Sequence, residues 1–153
     1  MDMSTEDRAL ALVLGEARPD PGELATLFRA LPPVEPGGLT GLWRGGVFDP
    51  EDRMARLLTR LRWYGKRFTD PENVDPLVCR TDDGALYTYD GMGSARLREV
   101  VRDGVASAAM IYDGRPIIDH FRRISGDVLM GAMDAKGEAS TLYFHLTRDP
   151  GER

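Results

Sequence analysis

The sequence predicts a mainly β protein: an eight-stranded, antiparallel, up-and-down β-barrel with N-terminal helices and one helix between strands one and two. Three observations lead there. From residue 77 onward the chain alternates short strand-like runs with tight-turn residues: Asp82-Asp83-Gly84, Gly91-Met92-Gly93, Asp103-Gly104, Asp113-Gly114-Arg115, Ser125-Gly126 and Ala135-Lys136-Gly137. Glycine beside Asp or Ser supplies the positive φ that hairpins need. Second, an isolated strand-like stretch from Leu39 to Phe48 carries the run Gly41-Leu42-Trp43-Arg44-Gly45. Third, helical spacing of apolar residues is confined to the chain before residue 64. Expected strands are 39–48, 77–81, 85–90, 95–103, 105–112, 116–125, 127–134 and 140–148. Eight hairpin-linked strands close most simply into a barrel, which leaves no exposed sheet edge.

Each element has its own reason. Leu10, Val13 and Leu14 repeat at helical spacing in residues 5–16, with Ser4 or Thr5 as N-cap. Leu24, Leu27, Phe28 and Leu31 form the apolar face of a second helix that Pro32 and Pro33 end. Asp49-Pro50 reads as an N-cap followed by proline at the first helical position, so a third helix is expected over 50–63. Its stripe is Met54, Leu57, Leu58 and Leu61, while Arg53, Arg56, Arg60 and Arg62 lie off it as a wet face. Residues 1–21 then form a helical extension, 22–148 one barrel domain, and 149–153 a flexible tail.

Composition excludes several classes. The chain has 153 residues, a net charge of -5, 42% hydrophobic and 29% charged residues, which suits one soluble domain. Its acidity argues against nucleic acid as a partner. No apolar run approaches the ~20 residues of a membrane span, and the acidic start lacks a basic signal-peptide region. A cytoplasmic location is the expectation. One cysteine, Cys79, allows no internal disulfide and no cysteine cluster for zinc, and no metal site is expected.

Strand faces locate candidate residues. Residues i, i+2 and i+4 share a face, so Gly41, Trp43 and Gly45 point one way and clear space around one indole. On the last strand Leu142, Phe144, Leu146 and Arg148 share the face suited to the interior. Closure makes first and last strands neighbours, so Arg148 can stack on Trp43, a cation–π contact of roughly 0.5–2 kcal/mol. Gly41, Trp43, Gly45 and Arg148 are therefore assigned to the scaffold at a closed end. Small residues on strands 105–112 and 127–134 leave interior volume, and Met110 and Met133 adapt to irregular contents. Strand 116–125 sets Ile117, Asp119, Phe121 and Arg123 against Ile118, His120, Arg122 and Ile124. Asp119 beside Phe121 is the preferred inward set, needing a donor such as Tyr112 or an arginine. Trp63, Lys66, Phe68, Met110, Tyr112, Asp119, Phe121 and Met133 are the expected ligand contacts, with Lys66, Arg122 or Arg123 as anchor for an acidic head group.

Leu39–Asp49 resembles the GXWXG motif of a bacterial family named for it, whose members often carry a C-terminal domain of unknown function. The segments Gly22-Glu23 with Leu27-Phe28, Trp63-Tyr64-Gly65-Lys66-Arg67-Phe68, Met110–Asp113, Pro116–Phe121, Gly131–Asp134 and Tyr143–Leu146 extend the likeness over most of residues 22–148. The early G-x-W and late strand arginine are also similar to the calycins: lipocalins, fatty-acid-binding proteins and haem-binding nitrobindins. The resemblance implies one barrel for a small hydrophobic or lipid-like ligand. No cofactor is expected. Haem is the alternative and would need an inward His120 or His145. A small enzyme using Asp119 and His120 is another, but no G-x-S-x-G, P-loop or H-E-x-x-H accompanies them, and no catalytic residue is assigned.

Overall fold

The computed structural model describes residues 3–151. Nine strands run β1 (Gly41–Val47), β2 (Trp63–Asp70), β3 (Asn73–Arg80), β4 (Leu86–Thr88), β5 (Ala95–Arg102), β6 (Val105–Tyr112), β7 (Ile117–Ser125), β8 (Val128–Ala135) and β9 (Leu142–Arg148). Three helices accompany them: α1 (Thr5–Val13), α2 (Glu23–Ala30) and α3 (Arg53–Arg60). Eight strands close an antiparallel ring in the order β1, β2, β3, β5, β6, β7, β8, β9. The pairings β1–β2 and β1–β9 complete the circuit. Among the described residues, no helix is long and apolar enough to cross a membrane.

The count of eight holds, but its membership differs from the expectation. β2 belongs to the barrel, whereas β4 pairs with β3 alone and is exposed at all three residues. The reason lies in the β2–β3 register. Trp63 faces Cys79 and Gly65 faces Val78, so β2 carries one extra residue there. Gly65 to Val78 and Arg67 to Asp75 then leave Pro76 and Leu77 opposite Lys66 alone. Two bulges of opposite sense break the alternation that marks a strand in sequence. Proline at 76, which cannot donate to a ladder, sits in the second.

Local chemistry also resets the helices. Ser4 caps α1 by accepting from the Asp7 amide at 3.1 Å. The helix buries Ala9 and Leu12, while Leu14, expected on the buried face, is 63% exposed. In the expected 50–63 helix, Asp49 makes a turn by accepting from Glu51 N. Asp52 is the true cap, accepting from Met54 N at 2.8 Å and Ala55 N at 3.3 Å. α3 ends before Arg62, which adopts φ 56°, and Trp63 opens β2. The tail is tied at its base: Asp149 N donates to Leu42 O at 2.9 Å and the Tyr64 hydroxyl donates to the Asp149 carboxylate. Residues 152–153 of the expected tail, and 1–2 of the extension, lie outside the described residues.

Two apolar cores result. Trp43, Phe68, Leu97, Met110, Phe121 and Phe144 belong to the one inside the barrel. The other lies outside, where Leu27, Phe28 and Leu31 of the second helical segment, with Ala9 and Leu12 of α1, cover Ile124, Met130 and Ala132. β7 is therefore buried on both faces, Asp119 and Phe121 inward, Arg122 and Ile124 outward beneath the helices. Arg122 donates to Phe28 O, Arg29 O and Leu31 O at 3.0–3.2 Å, and to Arg102 O at 3.0 Å. Carbonyls at a helix C-terminus lack partners in the helix and attract cations. Arg122 is thus a cap for α2 and does not reach the interior as a head-group anchor.

At one end Arg148 lies 4.3 Å from the Trp43 ring centroid, and the two are cross-strand partners as expected. Trp43 Nε1 and Arg148 Nη1 both donate to Thr40 O, at 3.0 and 3.1 Å, and Arg148 pairs with Asp127 at 3.0 Å. Gly65 permits β1 and β2 to touch, since a Cβ there would stand 1.8 Å from the Trp43 carbonyl oxygen. Gly65→Ala must separate the two backbones. Its expected cost is about 3 kcal/mol, the top of the overpacking range, read as a lower urea midpoint at unchanged slope.

Candidate functional site

Further into the barrel, beside Trp43 whose cross-strand partner is Lys66, the interior is built around an ion pair. Lys66 Nζ lies 3.0 Å from Asp119 Oδ2, and both side chains are buried, 3% and 2% exposed. Neither Tyr112 nor an arginine is the carboxylate's ion-pair partner; the donor is this lysine, brought across the barrel from β2 to β7. Asp119 Oδ1 is buried with no hydrogen-bond partner. Burial raises the Asp119 pKa, and the Lys66 charge and hydrogen bond work against that rise.

The bulges explain how both Trp63 and Lys66 reach this place. Strict alternation would send residues three apart to opposite faces. The extra residue near Tyr64 turns Trp63 inward as well, and the freed Pro76 carbonyl accepts from Trp63 Nε1 at 3.2 Å and from Lys66 Nζ at 3.3 Å. Three rings surround the ammonium, with centroids at 5.5 Å for Trp63, 5.8 Å for Tyr112 and 5.3 Å for Phe144. Such contacts strengthen where water is excluded. Tyr112 is kept a neutral phenol because burial, and secondarily Asp119, raise its pKa well above the ordinary value.

Small residues make room for these rings. A Cβ on Gly45 would stand 2.1 Å from Trp63 Cη2, and one on Gly131 would stand 2.2 Å from Phe144 Cζ. Gly45 of the G-x-W-x-G run therefore clears space for Trp63, whereas its expected neighbour was Trp43. Gly41 serves differently, through its φ of 83° at the head of β1.

The lining of the inner cavity includes Trp63, Lys66, Tyr112, Asp119 and Met133, all expected from sequence, together with Leu58, Leu77 and Phe144. Phe68, Met110 and Phe121, also expected there, pack in the solid core beneath, with Phe68 and Phe121 edge to face at 6.1 Å. The space left by the small wall residues is filled by aromatic rings. What remains is about 10 Å³ for the centre of a water-sized sphere, room for one water. Above it, a groove of about 540 Å³ runs between β1, α3 and the end of β3, lined by Val47, Ala55, Leu58, Arg62, Trp63 and Arg80 among others. Leu58 and Trp63 border both spaces, so the indole is the partition between groove and ion pair.

Both histidines lie on the outer wall. His120 Nε2 is 3.8 Å from Asp134 Oδ2. His145 packs over Gly46 and edge-on to Phe48 at 4.9 Å. Neither imidazole faces the cavity, as axial ligation of a haem inside the barrel would require. His120, expected beside Asp119 as an acid–base partner, points to the opposite face of β7.

The GXWXG protein family matches residues 26–84, and a domain of unknown function (DUF4334) matches residues 93–148. A crystal structure of a protein from Thermomonospora curvata is 49% identical, covering 96% of this chain and 99% of that one, with a TM-score of 0.92. The chain belongs to the GXWXG family. Its two matched segments form a single closed, calycin-like barrel, since β1 to β3 come from the first and β5 to β9 from the second. No curated protein matches this GXWXG protein. Phe144 was already placed inward by the alternation of its strand, whereas Leu77 was legible as an inward residue only once β3 had a register. Pro76, whose carbonyl serves the site, could have been found from its position inside a strand.

Two predictions follow from this geometry. Gly45→Ala drives the Trp63 indole toward the groove, so tryptophan emission shifts red and acrylamide quenching rises, at about 1–3 kcal/mol in stability. Unchanged emission would contradict the contact. Burial, with a smaller contribution from Arg44, lowers the His145 pKa to about 4 from 6.5. The folded value is depressed, so the unfolded chain takes up the proton first. Stability therefore falls as pH drops from about 6.5 to about 4, by up to about 3 kcal/mol. His145→Gln should flatten that slope in urea titrations across this range.

Proposed function

We propose that this protein binds a small hydrophobic molecule carrying one uncharged polar group, which enters from the groove beneath α3 and reaches the Lys66–Asp119 pair when Trp63 swings aside. The observation that carries the reading is the unpartnered Asp119 Oδ1 on the wall of an aromatic-lined cavity. A buried acceptor without a partner costs about 1–3 kcal/mol, and a ligand donor would recover it. The adjoining groove has a volume within the usual range for small-molecule sites.

Charge counting refines the ligand. Lys66 is already neutralised by Asp119 at 3.0 Å, so an acidic head group would meet a net-neutral site with a carboxylate oxygen beside it. Burying that third charge costs several kcal/mol. A neutral amide, alcohol or carbonyl avoids the cost. The filled interior favours a short ligand over a long acyl chain, because only the Trp63 volume is released.

The test is a fluorescence titration with hexanamide, hexanol and hexanoate, using Trp63→Phe as control. The expected result is a saturable change with the two neutral compounds, weaker with hexanoate by about tenfold or more, equivalent to about 1.4 kcal/mol. The change should be absent in the control. Equal or tighter hexanoate binding overturns the neutral-ligand reading, and no response to any of the three overturns binding at this site.

A further inference from the structure

We propose that Lys66 captures an apolar aldehyde or ketone as an imine, with Asp119 carrying the protons. The proposal rests on the binding reading above and names its ligand class.

The choice of cation is the first argument. Only two of the 20 basic residues are lysines, Lys66 and Lys136. Ion pairs elsewhere use arginine, as in Arg8–Glu23 and Arg148–Asp127. The other deeply buried cation, Arg122, does a purely structural task with fixed donors on backbone carbonyls. Arginine does not give up its proton in proteins, whereas a buried lysine can become a free amine and form Schiff bases. This arginine-rich chain places a lysine at the one buried cation position, among the described residues, that lines the inner cavity.

Geometry is the second argument. Asp119 Oδ2 at 3.0 Å is placed to take a proton from Nζ, and Oδ1 is free to hand one on. The three surrounding rings have centroids 5.3–5.8 Å from Nζ and enclose it with apolar walls suited to a hydrophobic carbonyl compound. The site lies behind Trp63, screened from bulk solvent.

The step balances without a co-reactant. The ammonium gives a proton to Asp119, and the Nζ lone pair adds to the carbonyl carbon while the C–O π pair moves to oxygen. That oxygen takes the proton from Asp119, which then accepts one from the new N–H. A second proton transfer from Asp119 to the hydroxyl lets it leave as water while the nitrogen lone pair forms C=N. The net change is ammonium plus carbonyl to protonated imine plus water. The positive charge lost in the neutral intermediate is restored on the imine nitrogen, so Asp119 begins and ends as its counter-charge.

The experiment treats wild-type protein with hexanal or cinnamaldehyde and sodium cyanoborohydride, then locates the reduced adduct by intact mass and peptide mapping. Lys136, which is exposed, is the internal control. The expected result is one adduct on Lys66, formed more than about tenfold faster than on Lys136, a difference of about 1.4 kcal/mol in barrier. Asp119→Asn should slow the Lys66 adduct while leaving Lys136 unchanged, and Lys66→Arg should abolish it. Labelling of Lys136 at an equal or greater rate overturns the proposal with no variant needed. If hexanamide shifts Trp63 emission but no Lys66 adduct forms, imine capture fails and binding stands. If neither occurs, both fail.

Discussion

A lysine and an aspartate in the middle of a β-barrel, each about as deeply buried as Phe121, constrain what surrounds them. Taking two charges out of water costs several kcal/mol per ion, recovered only by close pairing and further hydrogen bonds. The bulged segment of β3 supplies one of these through the Pro76 carbonyl, and the three rings supply the negative faces that an ammonium prefers. Removing one partner of such a pair typically costs about 3–5 kcal/mol, yet replacing both with apolar groups is often neutral or stabilising. Stability is therefore a weak reason to keep the pair.

The two buried cations divide the labour of the fold. Arg122 faces outward from β7 and binds the helical layer to the barrel by serving the last carbonyls of α2. Lys66 faces inward and leaves Asp119 with an oxygen unspent. A planar guanidinium with several donors suits an array of fixed carbonyls. A compact amine suits a small enclosed space. The outer cation is saturated by its partners, and the inner pair is not.

Much of the barrel was readable because its second half is regular. Gly-containing turns and clean alternation in β5 to β9 placed Leu142, Phe144 and Leu146 inside, and closure alone predicted the contact of Trp43 with Arg148. The site was legible as a set of residues but not as a set of contacts. Trp63 and Lys66 both point inward at a spacing that alternation forbids, so β2 was hidden. β4 was over-read because Leu86, Tyr87 and Thr88 favour strands even when no face is covered. The Lys66–Asp119 pair joins strands far apart in the chain, and sequence spacing holds no trace of a contact made by barrel closure. The expected cavity came from small wall residues, and one of them, Gly131, proved to be a socket for the ring of Phe144.

The ring of strands is not equally strong around its circumference. β1 meets β9 over five paired positions, whereas β3 meets β5 at Val74 and Ala95 alone. Leu97 N to Pro71 O at 2.7 Å and the Arg98–Glu72 contact at 2.6 Å reinforce that junction from the side. It is also the seam between the two matched segments of the chain. Local opening begins where the fewest backbone hydrogen bonds cross, so the barrel behaves as a book whose spine is β1–β9 and whose fore-edge is β3–β5. Separately produced halves would each retain a half-sheet with two raw edges, and recognise each other through those edges before any side chain met.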